Sequence, residues 1–273
     1  VTGLWRGKFK DSEPVSFRQK FAFMSGLFLY YMAQGGPLDL LGHLMFSAHM
    51  VAMALAFLAA PPLILMGIPG WLIRPLFRIR PVRALSRVFL HPILTVVLFN
   101  MLFSFYHIPE INDVILTNYA LHTIYYFVLL VTAFMMWWPM VCPIKEMDTM
   151  SDVKKMGYIF VNGVLLTPAC ALIIFAGEPM YAAFNDPAAW AKALGYCVPA
   201  GSSIILSNFQ GPGFFAIMPP IEDQQLGGVA MKLLQETIYG SILAYTFYNW
   251  YRRENPRNEI DPIPPEMQEY ALA

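Results

Sequence analysis

LLGHLMFSAHMVAMALAFLAAPPLILMG, residues 40–67, is the stretch on which the fold turns. It holds no Asp, Glu, Lys or Arg, and it exceeds the ~20 apolar residues that carry an α-helix across a bilayer. Pro61 and Pro62 fall inside it; each removes a backbone donor, so a kink or an end is expected there. Working outward, five further stretches have the same character: 20–36, 88–106, 119–141, 156–176 and 225–250. The expectation is an all-α polytopic transmembrane helix bundle with six spans. Residues 188–219 are moderately apolar but are interrupted by Pro199, Gly201, Gly211, Pro212 and Gly213. They read as an interfacial or re-entrant element, not a seventh span.

Composition agrees with that class. Hydrophobic residues make up 57% of the chain and charged residues 13%, against about 25% charged in soluble domains. The net charge is zero, so nothing points to nucleic acid. The three cysteines, Cys142, Cys170 and Cys197, form no CxxC pair, which leaves no thioredoxin-like or zinc-ribbon signature. The chain begins Val-Thr-Gly-Leu-Trp without an initiator Met and reads as starting inside a longer natural sequence.

The charges are sorted along the chain. Arg6, Lys8, Lys10, Arg18 and Lys20 precede the first span or open it. Arg74, Arg78, Arg80, Arg83 and Arg87 separate spans two and three; Lys145, Lys154 and Lys155 separate spans four and five; Arg252, Arg253 and Arg257 follow span six. The alternate loops carry no Lys or Arg, save Lys192 within 177–222. Cytoplasmic loops are the basic ones, so both ends of the chain are expected inside. The expected organisation is a bundle over 1–253 with an extracytoplasmic segment at 177–222, then a cytoplasmic tail over 254–273. Trp137-Trp138-Pro139 falls at the cytoplasmic end of span four, where an aromatic belt pair would anchor the helix.

On this map four of the five histidines share the outer half of the membrane. His43 and His49 belong to span two, His107 to the end of span three, and His122 to the start of span four; only His91 falls inside. At 100° per residue Met45, His49 and Met53 form one stripe, and His43 and Met50 a second on a neighbouring face. Asn100 lies one face-repeat, ~10 Å, below His107. Imidazole and thioether suit copper, the thioether especially the cuprous ion. Polar groups inside spans are expensive and mark function by default, although a lone histidine can also bond a neighbouring helix and a methionine can simply pack.

A second polar set opens the last span: Glu222, Asp223, Gln224 and Gln225, then Gly227 and Gly228. Gln224, Gly228, Met231 and Gln235 share one face. Lys232 and Glu236, spaced i, i+4, read as an ion pair or, alternatively, a proton path. There is no HExxH, GxSxG, P-loop or GxGxxG, so no catalytic signature is present and the chain reads as a non-enzyme.

Gly-His-Leu-Met-Phe-Ser-Ala-His-Met (42–50) leading to Ala-Pro-Pro-Leu (60–63), His91-Pro92, His107-Ile108-Pro109, His122, Trp137-Trp138-Pro139 and Glu222-Asp223-Gln224-Gln225-Leu226-Gly227-Gly228 with Met231-Lys232 occur in that order. Together they resemble the CtaG-type cytochrome c oxidase assembly factors of Bacillus-like bacteria, from about Arg6 to Arg253. The resemblance implies a seven-span protein of the bacterial cell membrane, with one helix before Val1. It implies a role in maturing a haem–copper oxidase, with copper, in its cuprous form, as the metal handled and oxidase subunits and membrane lipid as partners. The family's histidines carry over onto His43, His49, His91, His107 and His122, and its acidic-amide motif onto Asp223, Gln224 and Gln225. Where members carry a second His four residues after His49, this chain has Met53, which a cuprous site tolerates. Where they carry one soon after His122, it has Tyr125 and Tyr126. The expected copper set is therefore His49, His107, His122 and Met53, with Met45, His43 and Met50 beside them. Haem binding by paired histidines and a metal-free scaffold are the alternatives.

Overall fold

The computed structural model describes residues 12–195 and 211–255. Of these, 82% are helical and none lies in a strand. The helices are α1 (Phe17–Gln34), α2 (Pro37–Leu44), α3 (Phe46–Gly67), α4 (Arg80–Phe89), α5 (Pro92–Tyr106), α6 (Pro109–Leu116), α7 (Tyr119–Val141), α8 (Asp152–Ile174), α9 (Pro187–Leu194) and α10 (Pro220–Glu254). Proline opens many of them, at Pro37, Pro92, Pro109, Pro187 and Pro220, where its missing N–H costs nothing and its fixed φ suits the first turn. Side chains cap others: Ser16 and Gln19 form a reciprocal capping box on α1, and Asn118 accepts from Leu121 N–H at 3.1 Å to start α7.

α3 is the axis of the bundle. α1 and α7 pack on its second half, α10 on its first, and α8 lies along α10. α5 closes the ring between α7 and α8. Among the described residues three helices are long and apolar enough to cross a membrane: α3, α7 and α8. The pair α4–α5, bent by 68°, passes the same test as a unit and makes a fourth. The expectation of six spans is thus met only in part on length and composition. α1 and α10 fall short in apolarity: α1 holds Arg18, Gln19, Lys20 and Gln34, and the stretch of α10 after Glu236 is interrupted by Thr237, Ser241, Thr246 and Asn249 among its tyrosines.

Several boundaries differ from the sequence reading. The second span starts at Phe46, not residue 40: Met45 is extended, at φ −134° and ψ 133°, and α2 folds back as a separate helix. The fold-back needs Gly42, whose absent Cβ would sit 3.2 Å from the His49 Cα. The stripes drawn through Met45, and from His43 to Met50, therefore do not exist, because no single helix joins their members. Pro61 and Pro62 do not end α3. A π-helical turn at Leu55–Ala59 immediately precedes them, and such a turn re-pairs backbone groups that a proline leaves free. The third span begins at Pro92; residues 88 and 89 belong to α4. Trp137 is not a lipid-facing anchor: it is fully buried, its ring 5.5 Å from that of Tyr239. The interfacial segment expected at 188–219 lies partly outside the described residues; the rest holds α9 and a single 3-10 turn at Pro212–Phe214.

Candidate functional site

The four histidines expected on the outer side are arranged in two tiers. The upper tier is His43, from α2, and His122, from the first turn of α7, whose rings meet edge to face at 6.4 Å. Both are half-buried and line an outward cavity of about 600 Å³ together with Asp39, Gln34 and Tyr119. His43 Nδ1 donates to the Asp39 carbonyl at 2.9 Å. A carbonyl only accepts, so Nδ1 carries the proton and Nε2 keeps the lone pair for a ligand. Burial pushes the Asp39 carboxyl up from its ordinary value, and His43 opposes that rise.

The lower tier is His49, on α3, and His107, just past the end of α5, 6% and 2% exposed. The tiers are joined by phenols. The His122 ring lies on Tyr126 at 4.1 Å, Tyr126 and Tyr106 share a hydroxyl hydrogen bond of 2.8 Å, and the Tyr106 hydroxyl meets His49 Nε2 at 3.1 Å. His107 Nδ1 donates to the Phe103 carbonyl at 2.6 Å, which leaves Nε2 as the lone-pair nitrogen. That nitrogen is buried and has no hydrogen-bond partner among the described residues. The His107 carbonyl is held by the Tyr181 hydroxyl at 2.7 Å, and burial keeps that phenol's pKa above its usual value. Asp113 fixes the same corner, accepting from Ala182 N–H and Ala183 N–H at 3.0 and 2.9 Å. Among the described residues, no three His, Cys, Asp or Glu side chains are close enough to share one metal ion.

A family model for cytochrome c oxidase caa3 assembly factors matches residues 1–253. The chain belongs to this family. No curated protein and no solved structure matches it.

In this assembly factor the acidic-amide motif does architectural work. Asp223 reaches from α10 to the start of α3, where its carboxylate accepts from Phe46 N–H at 2.6 Å, from Ser47 N–H at 3.2 Å and from the Ser47 hydroxyl. It is therefore an N-cap supplied from another helix, holding donors that a helix start cannot satisfy itself. Gln224 accepts from Met180 N–H at 2.8 Å, and Gln225 donates to the Ala176 carbonyl at 3.1 Å; both fasten the segment after α8. Gly227 lets α3 approach, since a Cβ there would meet Phe46 and Met50 side-chain atoms at 2.9 and 3.0 Å. The shared face of Gln224, Gly228, Met231 and Gln235 is buried, as the spacing implied.

The remaining sequence candidates scatter. Met45 is the hinge residue between α2 and α3, Met50 is packed toward α10, and Met53 is buried one turn below His49. Lys232 and Glu236 pair at 2.7 Å, and the ammonium also donates to the Thr167 hydroxyl at 2.8 Å. His91 sits at the α4–α5 bend, at the other end of the molecule. Sequence reasoning missed Tyr106, Asn112, Tyr181, Asp39 and Asp113. Tyr106 had one visible signal, a polar tip next to His107 on an otherwise apolar span.

Proposed function

We propose that this assembly factor relays cuprous ion inward from its outer face for insertion into a caa3-type cytochrome c oxidase. His43 and His122 receive the ion at the cavity mouth, and His49, His107 and Met53 hold it deeper. The observation that carries this reading is the buried, unpartnered Nε2 of His107 beneath an open pair of histidines. A buried nitrogen left without a partner costs ~1–3 kcal/mol, and a soft cation is a partner that imidazole and thioether suit. In this reading α1 and α10 also cross the membrane, since they pack lengthwise on α3 and α8, and the basic loops and both termini face the cytoplasm.

The test is anaerobic titration of the purified protein with cuprous ion against a chromophoric chelator. The wild type binds stoichiometric copper, and a His49→Ala/His122→Ala variant loses it. Stoichiometric copper that survives both substitutions sinks the site. A metal-free scaffold is the second reading, favoured by the structural use of Asp223, Gln224 and Gln225; it expects oxidase assembly to persist when all four outer histidines are alanine. Haem handling expects a Soret band in protein from haem-making cells.

A further inference from the structure

The end of the bundle opposite the two histidine tiers holds a cavity of about 760 Å³, and its walls are mainly cationic. It lies between α4, the 74–78 turn, the end of α7 and residues 142–150, with Arg74, Arg83, Arg87, His91 and Trp138 among its lining. Arg83, Ser86, Arg87 and Leu90 all face it; that i, i+3, i+4, i+7 spacing is a single helical face. Leu85, Val88 and Phe89 lie on the opposite face and are exposed, as are Leu76 and Ile79 just before the helix. α4 is thus amphipathic, basic toward the cavity and apolar outward, and it is set at 68° to the spanning α5. A helix of that pattern lies in the membrane interface, which places the cavity behind it at headgroup depth.

The positive charge is in surplus. The two carboxylates at the cavity are already engaged, Glu146 by Arg74 at 2.9 Å and Asp148 by Lys155 at 2.7 Å. Arg83 and Arg87 have no carboxylate partner among the described residues. Arg83 and Arg87 line this cavity and stay exposed, so their guanidinium groups are open to a ligand that enters it. Guanidinium groups recognise phosphate oxygens, often with two parallel N–H donors.

We propose that this cavity binds the phosphate of an anionic phospholipid, with Arg83 and Arg87 as its principal contacts. The acyl chains leave toward the bilayer beside α4, and the bound lipid fixes the angle between α4 and α5. The site needs no copper and does not depend on the histidine reading, only on the helices spanning a membrane.

The test uses the purified full chain, washed in detergent and then given phosphatidylglycerol, phosphatidylcholine or inorganic phosphate. Native mass spectrometry counts retained lipid, and thermal unfolding reports the effect. The wild type is expected to retain phosphatidylglycerol at least tenfold more than phosphatidylcholine and to gain several degrees in Tm from it. Arg83→Gln/Arg87→Gln is expected to lose both effects. Arg80→Gln/Lys154→Gln, an equal charge change outside the cavity lining, is expected to keep them. If the double variant does not fold, Arg87→Gln alone is expected to retain less than half the wild-type lipid. Equal retention by both charge-matched variants, no preference over phosphatidylcholine, or the same gain from inorganic phosphate at equal concentration each overturns the lipid assignment.

Discussion

Asp223 and His107 lie at the same end of the bundle, the first half-buried and the second buried, and they stand in opposite conditions. Asp223 has more partners than most carboxylates, two backbone N–H groups and a hydroxyl. His107 has one ring nitrogen bound and the other bare. The difference separates polarity that builds the protein from polarity held in reserve for something else. Both residues fall in motifs on which the family resemblance rests, so motif position alone does not distinguish the two uses.

Substitutions that break the contrast should have effects of very different size. The largest is expected from Asp223→Ala, which strips three donors of one acceptor at the start of the central helix. Charged hydrogen bonds are worth about 1.5–3 kcal/mol each, so a loss of more than about 3 kcal/mol should appear in thermal or denaturant unfolding, with Asp223→Asn recovering part of it. Gly227→Val comes next. Its Cβ alone would sit 2.9 Å from the Phe46 ring, and overpacking of that kind costs about 1–3 kcal/mol, readable in the same unfolding curves. His107→Leu should do the reverse of Asp223→Ala. It removes a buried nitrogen without a partner but also the Nδ1–H that serves the Phe103 carbonyl; the two changes oppose each other, so stability should move by less than about 1 kcal/mol, while cuprous affinity should drop at least tenfold in the chelator titration. The smallest effect is expected from Tyr126→Phe, which deletes one neutral hydrogen bond of about 1 kcal/mol. Copper stoichiometry should stay the same, and transfer from the upper to the lower tier, followed by stopped-flow chelator competition, should slow a few-fold.

The long apolar helices were legible to the residue where local signals agree. α7 runs over 119–141 as read, because Asn118 caps its start and the apolar run is unbroken. The start of α3 was not legible. Nothing between residues 40 and 50 says that the helix must break at Met45; the group that holds the new N-terminus is Asp223, 177 positions from Phe46. Period-based stripes assume one continuous helix, so they failed on either side of that break. Trp137 was misplaced for a related reason, since depth in the bilayer can be read from the chain but rotation toward Tyr239 cannot. In the sequence Tyr126 stands out only as one of two tyrosines where family members carry a second histidine. Its contacts make it the link between the two histidine tiers, a role that depends on helices meeting in space and leaves no spacing signature.

The π-helical turn at Leu55–Ala59 has a consequence for how this family can vary. Such a turn arises when one residue is added to an α-helix, and one residue is worth about 100° of rotation. The bulge thus acts as a phase-setter between the half of α3 that carries His49 and the half that packs against α1. Deleting one residue within 55–59 would restore a plain α-helix and, with the lower half held, swing His49 about 100° away from Tyr106. Homologues able to lose that residue would have to bring their histidine to the same direction from a neighbouring position.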